Sequence, residues 1–252
     1  MRRQELEKYL ATYLQVDRYA DDGVNGLQIE GKSEIRRIAV AVSVCAEVIA
    51  GAAAARADAL LVHHGIIWRG DWPLTVTGVL RGRIKSLLDS DCSLFAYHLP
   101  LDAHPEVGNN AVAARALGLT GLEPFAEYHG TAIGYRGAMP FPISRHEFKE
   151  KLESYYGHRA FMVAAGTEML TRIGVVSGGA AREVKYAAAL NLDAYVTGEA
   201  GEPTTHYCRE AGVSFFAMGH YATERIGVRA LAAHLESRLG LETIFLEAEN
   251  EA

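Results

Sequence analysis

Three short apolar segments of the chain are each followed directly by side chains that bind divalent metal ions. The first segment, 59–62, continues into His63, His64 and Gly65. Neighbouring side chains of a strand point to opposite faces, so each imidazole could serve a different ion, and Gly65 would let the backbone turn away. A His-His pair also occurs in ordinary loops, and taken alone this dipeptide favours the loop.

The second segment, 93–96, is followed by His98 and Asp102, with His104 shortly after. Asp102 offers a hard carboxylate oxygen, and His98 or His104 offers an imidazole. The alternative for either histidine is a hydrogen bond that supports a ligand. For His104 we prefer that alternative.

The third segment, 215–217, leads through Gly219 into a helix that carries His220 and Glu224. Residues four apart on a helix share a face, so these two side chains could hold one ion together. A surface ion pair has the same spacing. The prediction that this pair binds metal therefore depends on the other two segments.

Together the segments supply three imidazoles and two carboxylates, on His63, His64, Asp102, His220 and Glu224. This set suits Zn, Mn, Fe or Co, because it is too rich in nitrogen for a calcium site and too hard for a copper–thiolate site. We expect two divalent ions, bridged by a carboxylate such as Glu224 at a separation of about 3.5–4 Å. Water between such ions is acidic enough to act as a nucleophile, which predicts hydrolysis.

Two weaker candidates lie in the second half of the chain. Ser177-Gly178-Gly179 could hold a phosphate with backbone amides, but it lacks the phosphate-loop lysine and the dinucleotide fingerprint, so a tight turn is preferred. Glu199 could serve as an acid, a base or a substrate contact, or simply as an acid at a helix N-terminus. His98 and Glu199 are the candidate catalytic residues.

The elements around these residues follow an α/β pattern. Apolar spacing predicts a helix over 4–14, strands over 38–44 and 59–62, and a small-residue helix over 46–57 between those strands. A strand, helix and strand in this order predict a parallel βαβ unit, whose ligands collect at the carboxyl ends of the strands. Glycines and prolines over 128–144 predict a hairpin, followed by a helix over 145–156.

The βαβ pattern occurs twice. Residues 37–64 align with 172–199 at a constant offset of 135, and 93–96 align with 214–217 at an offset of 121. Similar composition of alanine-rich helices and valine-rich strands is the alternative, but the matching chemistry at the strand ends favours duplication. We expect two interlocked lobes, with 1–126 plus 215–252 as the first, 127–214 as the second, and the metal site at strand ends between them.

Bulk properties narrow the classes of function. The formal charge of −6, from 25 basic and 31 acidic residues, argues against a protein that binds duplex DNA through counterion release. The charged start of the chain and the absence of about 20 consecutive apolar residues predict a cytoplasmic protein without a membrane partner. Cys45, Cys92 and Cys208 are far apart, which predicts buried thiols without disulfides.

With these motifs the chain resembles the YbgI branch of the Ngg-one-interacting-factor-three-like family, often catalogued as GTP cyclohydrolase I type 2 homologues. The resemblance spans the whole length, and the matching motifs are Asn25-Gly26-Leu27-Gln28, Val62-His63-His64-Gly65, His98-Leu99-Pro100-Leu101-Asp102-Ala103-His104, Gly108-Asn109-Asn110, Thr197-Gly198-Glu199 and Gly219-His220-Tyr221-Ala222-Thr223-Glu224. It implies a dinuclear centre on His63, His64, Asp102, His220 and Glu224, with Glu224 shared and His98 nearby. It also implies two α/β lobes in a toroidal homohexamer, a trimer of dimers.

Three functions are compatible with these features. The leading hypothesis is a hydrolase that depends on two divalent ions and acts on a small, nucleotide-like molecule. The alternative is a non-catalytic protein that binds or handles metal, since a clear general acid and a phosphate-binding loop are missing from the motifs. A ring that binds nucleic acid is disfavoured by the acidic balance of the chain.

Overall fold

The computed structural model describes residues 1–248 and 250, which form two compact α/β units. Unit 1 is built from Met1–Leu101 and from the segment between Val228 and residue 248. Unit 2 is built from Asp102–Gly227. Unit 1 is therefore assembled from two parts of the chain, and unit 2 lies between them in sequence. The predicted α/β architecture is confirmed.

The sheet of unit 1 has the strand order β1-β4-β3-β2-β11. Strands β2, β3, β4 and β11 are parallel, whereas β1 pairs antiparallel with β4. The strands are β1 (Gly26–Ile29), β2 (Arg37–Ser43), β3 (Ala59–His64), β4 (Ser93–Ala96) and β11 (Glu242–Phe245). The helices wholly within this unit are α1 (Arg3–Tyr13), α2 (Ala46–Ala54) and α3 (Gly78–Asp89), while α4 (Leu99–Ala103) and α9 (His220–Leu239) each contain a unit boundary.

Burial explains why these segments are strands and helices. Residues 38–42 of β2 and 59–63 of β3 are continuously buried, as expected for parallel strands that are covered on both faces. On α2, Val48, Ile49 and Ala52 are buried at helical spacing, and they pack into the same apolar cluster as β3 and β4. The apolar runs therefore place the end of β3 at the edge of a rigid core.

The sheet of unit 2 has the strand order β5-β6-β8-β9-β10-β7. Its central strands β8, β9 and β10 are parallel, and the outer pairs are antiparallel. The strands are β5 (Thr120–Tyr128), β6 (Thr131–Ser144), β7 (Phe161–Val163), β8 (Met169–Val175), β9 (Ala194–Thr197) and β10 (Ser214–Ala217). The helices are α5 (Asn109–Ala116), α6 (Arg145–Tyr156), α7 (Val184–Ala189) and α8 (Thr204–Ala211).

The internal repeat predicted from the sequence is present as matching strand register. Ile38 pairs with Ala59 in unit 1, and their equivalents at the offset of 135, Ile173 and Ala194, pair in unit 2. Asp58 Oδ2 accepts the backbone N–H groups of residues 36 and 37, and Asp193 Oδ2 accepts those of residues 171 and 172. Each unit thus contains the same three-stranded parallel core with the same carboxylate before its second strand.

The compact units differ from the predicted lobes, because residues 102–126 and 215–227 belong to unit 2. Strand pairing explains the difference. The hairpin begins at Thr120, earlier than expected, and β10 pairs with β9 in the centre of the second sheet. Whether 1–126 plus 215–252 and 127–214 fold as separate lobes stays a prediction.

Two further expectations can be compared with the structure. Cys92 and Cys208 are buried free thiols, and burial raises the pKa of each to about 11, whereas Cys45 is a free thiol that is only half-buried. None of the helices in the part of the chain that the structure describes is long and apolar enough to cross a membrane.

Candidate metal centre

In unit 1, the ends of β3 and β4 bring three imidazoles together. The ring centroids of His63 and His64 are 4.7 Å apart, and that of His98 lies 5.0 Å from His63 and 5.7 Å from His64. The expectation that His63 and His64 point to opposite faces is wrong, because their rings lie side by side. Strand β3 pairs with β4 as far as Val62 and with β2 as far as His64.

A hydrogen bond sets which nitrogen of the His63 ring carries the proton. His63 Nδ1 lies 3.0 Å from the carbonyl oxygen of Tyr97, which can only accept, so Nδ1 donates and Nε2 carries the lone pair. His64 Nδ1 lies 2.9 Å from Ser43 Oγ, a hydroxyl that either donates or accepts. His63 is therefore held in the form that a metal ion requires.

His98 is held by Asp21, a residue that lies outside the motifs found in the sequence. Asp21 is 5% exposed, and its Oδ1 accepts from His98 Nδ1 at 2.8 Å. The carboxylate also accepts the backbone N–H groups of Gly23 and Leu99 and the side-chain amide of Asn25. Burial alone would raise the pKa of Asp21, but these hydrogen bonds and the charge of His98 outweigh it and lower the pKa to about 2.

Gly65 has a different role from the one expected. A Cβ at this position would lie 2.3 Å from Gln28 Oε1, so the space beside the glycine is occupied by a side chain. Gln28 Oε1 accepts the N–H groups of Ile66 and Ile67, and its Nε2 donates to the carbonyl of Val24. The glycine thus allows Gln28 to fix the turn that follows the two histidines.

In unit 2, the first turn of α9 brings His220 and Glu224 together. His220 Nε2 lies 3.1 Å from Glu224 Oε1, and its Nδ1 lies 2.5 Å from Glu199 Oε1. Glu224 is 2% exposed, whereas the Glu199 side chain is 51% exposed. Burial would lower the pKa of His220, but the hydrogen bonds and charges of Glu224 and Glu199 raise it to about 9.

The same chain contains a His–Glu pair of equal spacing that is a surface ion pair. His146 and Glu150 on α6 lie 3.4 Å apart, with both side chains largely exposed. Exposed pairs of this kind contribute little, because water screens the charges and the side chains lose freedom. Burial of Glu224 therefore distinguishes the pair on α9.

A glycine turn packs closely against this buried pair. Gly178 has a φ of +66°, and a Cβ there would lie 2.2 Å from Glu224 Oε1 and 3.2 Å from His220 Nε2. Its N–H donates to Thr223 Oγ1, and its carbonyl accepts from the N–H groups of Gly198 and Glu199. The turn that the sequence predicted at Ser177-Gly178-Gly179 is present, and its glycine lets the Glu224 carboxylate lie against the backbone.

Asp102 is oriented by two residues that the sequence did not single out for this task. Its Oδ1 accepts from Asn109 Nδ2 and from Ser177 Oγ, both at 2.8 Å. Asn109 Oδ1 accepts the N–H of Gly227, and Asn110 Oδ1 accepts that of Ser177. The motif Gly108-Asn109-Asn110 is the sequence feature that could have identified Asn109, but nothing in it indicates which carboxylate the amides contact.

His104 does not join either group of candidate ligands. Its side chain is buried, and Nδ1 accepts the backbone N–H groups of Glu106 and Val107. A nitrogen that accepts two N–H groups is not available to an ion. These contacts stabilise the turn before α5, and support of a ligand by His104 stays a prediction.

Both groups of side chains fit divalent ions. Unit 1 supplies imidazole nitrogens on His63, His64 and His98, while unit 2 supplies Asp102, His220 and Glu224. Imidazoles with carboxylates are the donors that Zn, Mn, Fe and Co accept. The lone pair on His63 Nε2 and the buried carboxylate of Glu224 beside His220 Nε2 are the structural observations that support this fit.

Gly178→Ala is expected to weaken metal binding while costing only moderate stability. The left-handed conformation costs alanine about 1–2 kcal/mol, and the added Cβ displaces the Glu224 carboxylate, which should weaken binding about 10–100-fold. Gly121→Ala is the matched control, because Gly121 has a φ of +60° with open space around it. Denaturant unfolding and chelator competition check both effects, and equal metal affinity in the two variants would contradict the prediction.

Asp21→Asn is expected to destabilise the protein by about 1–3 kcal/mol at pH 7. The amide nitrogen of the new side chain would face two of the four groups that donate hydrogen bonds to the Asp21 carboxylate. The lowered pKa means that the carboxylate stabilises the fold above its ordinary value of 3.8 and loses this effect as the pH falls towards about 2. The difference from the parent protein should therefore shrink between pH 4 and about 2. Urea unfolding across this range tests it, with Asp89→Asn, a largely exposed aspartate of a surface ion pair, as the control, and a constant difference would contradict it.

Metal binding is expected to tighten as the pH rises from 7 to about 9. The raised pKa means that His220 carries a proton below about 9, and an ion at Nε2 must displace that proton. Affinity should rise by up to about tenfold per pH unit over this range. Chelator competition at several pH values measures this slope, and Glu199→Gln should move the rise to lower pH. A flat profile in the parent protein would contradict the assignment.

Comparison with known proteins finds relatives that match over nearly the whole chain. A family model described as Duf34/NIF3 (NGG1p interacting factor 3) matches residues 1–252. A Deinococcus radiodurans protein named GTP cyclohydrolase 1 type 2 homolog is 42% identical over 244 residues, covering 97% of this chain and 92% of its own length. A Pyrococcus abyssi protein of the same name is 41% identical, covering 98% of each chain.

Solved structures give the same result. One described as the protein ybgI, of unknown function, superposes with a TM-score of 0.94 at 36% identity and covers 100% of both chains. Reduced HcgD from Methanocaldococcus jannaschii superposes with a TM-score of 0.86 at 26% identity, covering 98% of each chain. The full-length family match, the sequence identities and these superpositions agree, and the chain belongs to the Duf34/NIF3 family.

Proposed function

We propose that this protein is a hydrolase that depends on two divalent ions and acts on a small, nucleotide-like substrate. His63, His64, Asp102, His220 and Glu224 would hold the ions. The observation that carries the proposal is the buried pair of His220 and Glu224, 3.1 Å apart, with Glu224 only 2% exposed beside the glycine turn at Gly178. Two ions held there would act as Lewis acids and would lower the pKa of water.

The supporting hydrogen bonds hold the side chains in orientations that suit this task. Asp102 is fixed through Oδ1 by Asn109 and Ser177, and His63 through Nδ1 by Tyr97. Fixed ligands do not have to reorganise when charge develops during a reaction, which is the condition for electrostatic catalysis. The surroundings of these ligands therefore favour a reactive site over a loose storage site.

Glu199 and His98 have separate places in this proposal. Glu199 contacts His220 Nδ1 and is half exposed, so it orients the imidazole and also meets solvent or substrate. His98 faces the imidazoles of unit 1. Proton transfer by either residue stays a prediction.

The relatives support the choice of substrate class. Those from Deinococcus radiodurans and Pyrococcus abyssi are named as homologues of a GTP cyclohydrolase, an enzyme name that points to hydrolysis of a nucleotide ring. We extend this as a proposal to a nucleotide-like substrate for the present chain. The cytoplasmic location and the toroidal homohexamer belong to the same proposal.

The test is turnover by protein loaded with Zn, Mn, Fe or Co against GTP and other nucleotides, phosphoesters and cyclic amides. His63→Ala and Glu224→Gln each remove a ligand, so turnover should fall at least about 100-fold, corresponding to several kcal/mol of lost stabilisation of the transition state. Glu150→Gln is the matched control, because it removes the glutamate of an exposed His–Glu pair with the same spacing. Its turnover should equal that of the parent.

Two results would contradict the proposal. The first is that both ligand variants keep metal content and turnover at the level of Glu150→Gln. The second is that the loaded protein turns over none of these substrates while its metal exchanges readily with chelators. The second result would favour the alternative, a protein that handles metal without catalysis.

A further inference from the structure

We propose that Trp68 binds the substrate by stacking, so that its indole is the surface that recognises a nucleobase or a similar planar ring that contains nitrogen. This inference rests on the proposed function and names the residue that holds the ring of the nucleotide-like substrate. It concerns unit 1 alone, where Trp68 and the side chains around it lie.

Trp68 lies directly beside two imidazoles at the strand ends of unit 1. The centroid of the indole is 5.1 Å from that of His98, with the ring planes at 77°. It is 6.1 Å from the centroid of His64, with the planes at 44°. Because both imidazoles contact the same indole, a ligand that stacks on Trp68 lies close to the candidate centre.

Hydrogen bonds hold the indole in one orientation. Its Nε1–H donates to the carbonyl oxygen of Gly65 at 3.1 Å. The backbone on either side of Trp68 is paired with that of residues 22 and 24 by hydrogen bonds of 2.7 and 3.1 Å. A rigid aromatic side chain offers a large contact area and loses little conformational freedom when a ligand binds. Trp68 is therefore preorganised for recognition.

The absence of a side chain at Gly23 lets the indole lie against the backbone. A Cβ on Gly23 would be 3.2 Å from Cζ3 and 3.5 Å from Cε3 of Trp68. The N–H of Gly23 donates to the buried carboxylate of Asp21, so this support is itself fixed. Trp68 nevertheless remains only half-buried. Part of the indole is therefore supported from behind while another part is open to a ligand.

The chemistry of the indole indicates which part of a ligand it binds. The one hydrogen-bond donor of the side chain, Nε1–H, is already bound to Gly65. What remains is the aromatic surface, on which flat rings stack. Loss of an aromatic residue that stacks on a base weakens binding about 5–150-fold, and such stacking tolerates different bases. The indole therefore selects for the ring of the substrate and leaves the identity of the base open.

A purely structural tryptophan is the competing explanation. In that case Trp68 would only pack beside His64 and His98, and its loss would disturb the imidazoles and weaken metal binding. It would not discriminate between ligands with and without a ring. The two explanations therefore predict different results for a pair of ligands that differ only in the base.

The direct test uses the intrinsic fluorescence of Trp68. The chain has two tryptophans, so the full-length variant Trp72→Phe leaves Trp68 as the single emitter. We expect GMP to quench this fluorescence saturably, whereas ribose 5-phosphate, which has the phosphate but no base, should leave it unchanged. Equal quenching by both ligands, or unchanged fluorescence with GMP, AMP and UMP, would overturn the inference.

Affinity for GMP, measured by calorimetry on the Zn²⁺-loaded protein, gives a second test. Trp68→Leu should weaken GMP about 5–150-fold, and Trp68→Phe, which keeps an aromatic surface, should recover most of that loss. Trp72→Leu is the matched control, because Trp72 is the other tryptophan of the same segment and is 66% exposed. Its GMP affinity should equal that of the parent.

Zn²⁺ affinity, measured by chelator competition, distinguishes recognition of the ring from support of the histidines. In Trp68→Phe it should equal that of the parent. A loss of GMP affinity that Trp68→Phe does not recover, together with an equal loss of Zn²⁺ affinity, would show a structural role and overturn the inference.

The outcomes separate this inference from the proposed function. If GMP quenches Trp68 but the loaded protein turns over none of the substrates, recognition of the ring is supported and the hydrolase is wrong. If turnover is found and the KM of Trp68→Leu equals that of the parent, recognition of the ring by Trp68 is wrong and the hydrolase is supported.

Discussion

Parallel pairing of three strands in each unit is the constraint on which the candidate site depends. In unit 1, β2, β3 and β4 share one register, and β8, β9 and β10 repeat that register in unit 2. The carboxyl ends of parallel strands lie at one edge of a sheet. Side chains that follow those ends therefore lie close together. The imidazoles after β3 and β4 and the His–Glu pair after β10 both arise in this way.

Around those strand ends, hydrogen bonds decide what the side chains can do. Tyr97 and Asp21 each fix an imidazole through Nδ1, while Asn109 and Ser177 fix Asp102 through one oxygen. None of these partners needs to touch an ion. They set tautomer and orientation, and such partners usually matter nearly as much to metal affinity as the ligands do.

Glycines contribute where backbone and side chains approach closely. At Gly65 the neighbouring side chain is Gln28, which fixes the turn after the two histidines, whereas at Gly178 it is the carboxylate of Glu224. In both places the missing Cβ lets the opposing side chain lie directly against the backbone. The sequence shows both as turn residues, because the identity of the opposing side chain depends on contacts between residues far apart along the chain.

The sequence by itself determined the two βαβ units, their repeat and the candidate ligands at the strand ends, because apolar periodicity and turn residues are local signals. Only the tertiary structure decided that His63 and His64 lie side by side, that β10 belongs to the second sheet, and that Asp21 holds His98 across 77 residues of chain. These features depend on which strands pair and where each strand stops pairing. Strand pairing depends on packing throughout the core, which local sequence patterns do not describe.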